Sequence, residues 1–195
     1  MDAEKPLSAE DSINIIMDAI GKTKENIKEN SFYFLLWGWV VSIASFSFFL
    51  LQRYTSFPYF FLPFPVLGSI ALTITVIYYL RNKSTTTQTY FGYFLSRLWM
   101  VLAVCFITVV FINVSRKLPP FTDTLIIACI GTLVSGWVMK FQPLIIGGIV
   151  FLISAIVSIY IPDEYKALLH GVAIVIGYLI PGYLLKKQHH DGGKV

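Results

Sequence analysis

Few residues in this chain could do chemistry, and they are scattered among apolar ones. His170 interrupts the apolar stretch Ala167–Ile180, Asp123 stands near the head of another, and Asn113 near the end of a third. An imidazole or carboxylate inside a membrane is a functional hypothesis by default, as proton carrier, ion ligand or general base. With Asp163, Glu164, Arg116 and Lys117 in adjoining loops, Asn113, Asp123 and His170 could line a small outer polar vestibule. The plainer reading, which the spacing favours, is a hydrated interface and one hydrogen-bonded histidine. Hydroxyls abound at Ser42, Ser45, Ser47, Thr73, Thr75, Ser154 and Ser158. A serine hydrolase needs a positioned base. His170 is the only intramembrane candidate, and no Gly-x-Ser-x-Gly elbow accompanies it. Neither a His-x-x-x-His pair nor a Cys/His cluster is present, so no metal or cofactor is expected. Cys105 and Cys129 read as small apolar residues in mid-span. The expectation is a protein that is not an enzyme.

The elements that must hold these groups are membrane spans. Residues 32–51 read FYFLLWGWVVSIASFSFFLL, with no charge, amide or proline. About 20 apolar residues at 1.5 Å each cross a hydrocarbon core of ~30 Å. Twelve of these are Leu, Ile, Val or Phe. At roughly −0.3 to −0.6 kcal/mol each, they favour insertion by at most about 4 to 7 kcal/mol. Further spans are expected at about 63–80, 97–114, 121–140, 143–161 and 165–185. A polar connection covers residues 81–96, and a cytoplasmic tail covers 186–195. Pro63 or Pro65 suits a first helical turn. Only Pro181 falls inside a span, where it should kink the helix. With Gly177 and Gly182 it could form a hinge, although a static kink explains it as well. The pairs Gly131 and Ser135, Ser154 and Ser158, and Ala173 and Gly177 put small residues four apart, which lets helices approach closely.

Composition agrees. Of 195 residues, 56% are hydrophobic and only 13% charged, so no sizeable water-soluble domain is expected. The net charge of +4 does not point to nucleic acid, because in a membrane protein the placement of Lys and Arg matters more than their sum. No cleavable signal peptide is expected, since the first apolar run starts at Phe32 and is too long.

Residues 1–30 read differently. Ser8 can cap a helix with Asp11 three residues on. At 100° per residue Ile13, Ile16, Met17, Ile20 and Ile27 fall in one stripe, opposite Asp18, Lys22, Glu25 and Glu29. Ile13, Ile20 and Ile27 also repeat every seven residues, a short heptad seam, while Ile15 and Gly21 fit the helix poorly. The polar face is balanced in charge, so attraction to anionic lipid should be weak. This cytoplasmic amphipathic helix is the element expected to bind a partner.

Orientation follows from the positive charges. With a cytoplasmic N-terminus, 11 Lys and Arg residues fall inside and 4 outside, which places both termini in the cytoplasm. Trp37, Trp39, Trp99 and Trp137 all fall in the inner half, as an aromatic belt would.

The segment Glu29-Asn30-Ser31-Phe32-Tyr33-Phe34-Leu35-Leu36-Trp37-Gly38-Trp39, after an Ile-rich amphipathic helix, resembles the start of an uncharacterised family of small bacterial six-span inner-membrane proteins. The resemblance implies a bacterial inner membrane. It brings no activity and no functional residues.

The fold expected is therefore all-α: a polytopic bundle of six transmembrane helices over residues 31–185, preceded by the amphipathic helix of residues 1–30. Sheets with open edges are excluded in lipid. The leading function is a non-enzymatic membrane component that binds a partner protein, or itself as a homodimer, through the N-terminal helix. The alternative is a small-solute transporter or channel with an uncharged pathway, which should show a polar-lined cavity near the midplane.

Overall fold

The structure is a computed structural model describing residues 9–82 and 90–191, with side chains for residues 31–81 and 92–187. All regular structure among the described residues is helical: α1 (Ala9–Tyr54), α2 (Pro63–Asn82), α3 (Tyr90–Ser115), α4 (Phe121–Val138), α5 (Gln142–Tyr160), α6 (Asp163–Ile174) and α7 (Ile180–Asp191). A π-helical turn, Val175–Leu179, fuses α6 to α7. Six stretches are long and apolar enough to cross a membrane: Ser31–Tyr54, Pro63–Arg81, Gly92–Ser115, Phe121–Val138, Gln142–Tyr160 and Asp163–Lys187. The chain has the form of a multi-pass membrane protein.

Helix α1 runs without a break through residue 30, where the sequence suggested a separate amphipathic helix. Gly38 is the only helix breaker between Lys22 and Phe57. The span supplies a preformed helix end, so extension toward the N-terminus needs no second nucleation. It carries the helix through Gly21 at a cost of about 1 kcal/mol. The side chains of Ile13, Ile16, Met17, Ile20 and Ile27 lie outside the described residues.

Helix α3 starts seven residues before the expected span. Tyr93, Phe94 and Leu95 are apolar enough to continue it, and Arg97 lies over the Tyr93 ring at 5.1 Å. The guanidinium therefore has an aromatic partner one turn back on its own helix. At the other hairpin, α4 ends at Val138, and Lys140 takes a left-handed conformation with φ 51°. The Phe141 N–H then reaches back to the Gly136 carbonyl at 2.9 Å, closing a Schellman turn.

The core lies among α1, α4, α5 and the α6–α7 rod. Phe34, Leu125, Leu144, Phe151, Ile174 and Leu185 fill it. Helix α2 leans on α1, and α3 on α4. In the most apolar 18-residue stretch of each of these two spans only 6% of the residues are buried, against 56% in that of the sixth span. They are therefore peripheral, with most of their apolar surface left for lipid.

In the sixth span the Ile180 N–H bonds the Val175 carbonyl, five residues back. Pro181 has no N–H with which to reach the carbonyl of Gly177, four residues back. Where a kink was expected from Pro181, the helix makes a π turn, which accommodates the missing bond. Gly177, Tyr178, Pro181 and Gly182 are all buried at this turn.

Candidate functional site

The polar groups of the bundle converge on the first turn of α4, in the consecutive residues Thr122, Asp123 and Thr124. Successive residues on a helix point about 100° apart, so three in a row address three different neighbours. The Thr122 hydroxyl meets Ser158 Oγ of α5 at 2.8 Å. Since Ser158 donates to the Ala155 carbonyl at 2.7 Å, Thr122 is the donor. The Asp123 carboxylate accepts from the Asn113 amide of α3 at 2.6 Å. That amide also donates to the Val109 carbonyl at 3.0 Å, so both its hydrogens are used. As an acid in the first helical turn, Asp123 further gains from the helix dipole.

Thr124 faces α6. Its hydroxyl lies 3.3 Å from His170 Nε2 and 2.9 Å from the Phe121 carbonyl. On the other side of the ring, Ser45 Oγ of α1 lies 2.9 Å from His170 Nδ1 and 2.8 Å from the Val41 carbonyl. Either tautomer satisfies the set. The hydroxyl on the N–H side accepts and passes its own hydrogen to a backbone carbonyl, while the other donates to the bare nitrogen. Phe121 packs on the imidazole, with ring centroids 5.4 Å apart.

Of the three residues read as a vestibule, the structure joins two. Asn113 and Asp123 form a half-buried pair between α3 and α4. His170 faces the interior instead, 3% exposed, between α1 and α4. Ser45, Thr122, Thr124 and Ser158 were not singled out as site residues. The two threonines flank Asp123 in the sequence and could have been noticed as a polar tripeptide opening a span. Nothing local marks Ser45, which is 125 positions from His170.

Chemically, Ser45 and His170 resemble a nucleophile and its base. Ser45 is nevertheless fully buried, and both imidazole nitrogens are engaged. No substrate carbonyl could approach Ser45 Oγ without parting α1 from α6. What the arrangement can do is hold five helices in register near one end of the bundle. Intramembrane hydrogen bonds of this kind contribute about 0.6 to 2 kcal/mol each.

A second polar contact lies deeper. Trp99 of α3 donates to Ser135 of α4 at 3.1 Å. Its ring joins Phe34, Tyr178 and Phe151 in a chain of edge-on contacts across the core. No group of three or more His, Cys, Asp or Glu residues suited to a metal occurs among the described residues.

Fold and site together define a polytopic helical membrane protein whose bundle is pinned by a buried hydroxyl–imidazole network. Compared with protein-family models, curated proteins and solved structures, the chain matches none.

Proposed function

We propose that the protein is a non-enzymatic component of a bacterial inner membrane that engages a partner protein, or a second copy of itself, through the N-terminal part of α1. Both termini face the cytoplasm in this reading, as the 11 to 4 distribution of Lys and Arg favours. The single observation carrying it is the continuity of α1 from Ala9 to Tyr54. A helix that spans the membrane at one end and does not break cannot lie flat on the bilayer surface at the other. Its 22 residues from Ala9 to Asn30 extend for about 33 Å.

The register adds to this. On one unbroken helix Ile13, Ile20 and Ile27 share, within about 60°, the azimuth of Phe34, Gly38 and Ser45. That is the face α1 buries against the α6–α7 rod. Gly38 adjoins Leu179 and Gly182 adjoins Leu35, so the two helices run antiparallel. Asp191, the last residue of α7, then lies about level with Asn26. The backbone of α1 continues toward Ala9 beyond that level, past the last described residue of α7. The sequence places Ile13, Ile16, Met17 and Ile20 on that stretch, and the sevenfold isoleucine spacing suits a helix from elsewhere.

The filled interior favours this reading over a solute pathway. Leu125, Thr132, Ser135, Leu144 and Phe151 are all fully buried in the middle of the bundle. The test is Ile16→Glu with Ile20→Glu in the full chain. The variant should insert normally and lose a partner or its self-association in mild detergent. Unchanged size and partner profiles would refute the proposal.

A further inference from the structure

Residues 55–62, between α1 and α2, form an aromatic loop that the network above does not use. Phe57, Tyr59 and Phe61 are exposed and stand in edge-on contact with one another, with centroids 5.8 and 6.1 Å apart. Tyr54 and Leu62 on either side are also exposed. Such a patch would ordinarily be unfavourable in water.

Depth explains it. The Arg53–Glu164 ion pair at 3.2 Å and the Lys166–Asp163 pair at 2.7 Å mark the level where this end of the bundle meets water. Phe60 does not stay at that level. It packs on Phe48, with ring centroids 5.2 Å apart, and Phe48 lies five residues below Arg53 on α1, about 7.5 Å deeper. The loop therefore dips back beneath the ion pairs and carries Tyr59 and Phe61 with it. No residue from Tyr54 to Leu80 is charged, so nothing in the loop opposes the descent.

The backbone is equipped for it as well. Pro58, Pro63 and Pro65 contribute no N–H. The Thr55, Phe57, Leu62 and Phe64 N–H groups are bonded within the loop and its flanks. Those of Ser56, Tyr59, Phe60 and Phe61 have no partner among the described residues. Four open donors exclude the hydrocarbon core, where no acceptor exists, and suit the headgroup boundary, where phosphate and ester oxygens accept. Aromatic side chains prefer the same zone.

We propose that residues 55–62 are an interfacial anchor embedded at the headgroup–acyl boundary of the outer leaflet, and that the bilayer itself is what the exposed aromatics bind. The test uses the full chain with Cys105→Ala; Cys129 is buried and stays. Nitroxide labels are placed at Tyr59→Cys and Phe61→Cys, with Ile107→Cys as the lipid-facing reference and Arg116→Cys as the aqueous one. In phosphatidylcholine–phosphatidylglycerol vesicles the ratio of oxygen to polar nickel-chelate collisions at both loop labels should lie between that of Ile107 and that of Arg116. Collision ratios like that of Arg116 would place the loop in water and overturn the proposal. Protection from both reagents would also overturn it, by showing the aromatics covered by protein. Size-exclusion profiles matching the unlabelled parent establish that each variant is folded, and two loop positions guard against failure of one.

Discussion

The backbone of Gly147 in α5 rests directly on the carbonyl of Gly177 in the π turn: a Cβ added to Gly147 would come within 2.5 Å of that oxygen. Gly177 O is the acceptor that the prolyl ring of Pro181 leaves without its usual donor. Helix α5 thus comes close to the carbonyl whose i+4 donor Pro181 removes. A Cα–H packed against a carbonyl is weakly attractive.

Gly147→Ala should accordingly be costly. The atom in the way is backbone, not the far end of a flexible side chain, so relief requires the helices to separate. A loss of about 1 to 3 kcal/mol is expected from overpacking. Gly68→Ala is the control, because a Cβ there meets nothing within 4 Å. It should be neutral or slightly stabilising through helix propensity. Thermal unfolding of both variants in detergent checks the contrast. Equal stability of the two would show that the Gly147 contact is not tight.

The Ser45–His170 bond can be measured by a double-mutant cycle. Ser45→Ala, His170→Leu and their combination should give a coupling of about 0.6 to 1.7 kcal/mol, the range of intramembrane hydrogen bonds. A second readout separates packing from catalysis. The buried Ser45 should resist a fluorophosphonate probe that labels active serines. Labelling abolished by His170→Leu would mean that the pair is an active site.

Two lysines hold left-handed backbone, Lys117 with φ 59° and Lys140 with φ 51°. Both close Schellman turns, after α3 and after α4. A residue with a Cβ pays roughly 1 kcal/mol there that glycine does not. Lys117→Gly and Lys140→Gly should each raise stability by up to that amount. A fall in melting temperature for both would mean that the lysine side chains contribute more than the backbone costs.

The two cysteines should behave oppositely. Cys105 is exposed on α3 and Cys129 buried in α4, and neither is in a disulfide. Cys105→Trp, facing lipid, should leave the melting temperature in detergent nearly unchanged, whereas Cys129→Trp should lower it by overpacking the core. Joint replacement by Ala should leave insertion and folding intact.

Topology can be tested independently of function. Reporter fusions at Val195 and within residues 83–89 should both read cytoplasmic if the positive charges set the orientation. A periplasmic reading at both positions would reverse the proposed orientation and move the aromatic loop to the inner leaflet, and a periplasmic reading at one alone would refute six crossings.

The six spans were legible in the sequence, because insertion depends on the summed hydrophobicity of about 20 consecutive residues and lipid leaves the backbone no alternative but helix. The small residues four apart in α4, α5 and the sixth span were legible for a similar reason, since close approach requires them. Helix ends were less so. Helix α3 begins at Tyr90 and pairs Arg97 with the Tyr93 ring one turn back, a local compensation that hydropathy does not register. The unbroken course of α1 was hidden by a change of composition at residue 30 that has no counterpart in helix propensity. The site was half legible: Asn113 and Asp123 pair at the ends of consecutive helices, as a short α3–α4 connection allows. Which partners His170 takes was decided only by packing. The α6–α7 rod turns the imidazole toward α1 and the first turn of α4, and an imidazole buried there must be given both an acceptor and a donor. Ser45 and Thr124 meet that requirement from positions that share no sequence pattern with His170, since a hydrogen bond between helices depends on azimuth and depth, which the order of residues along one chain does not record.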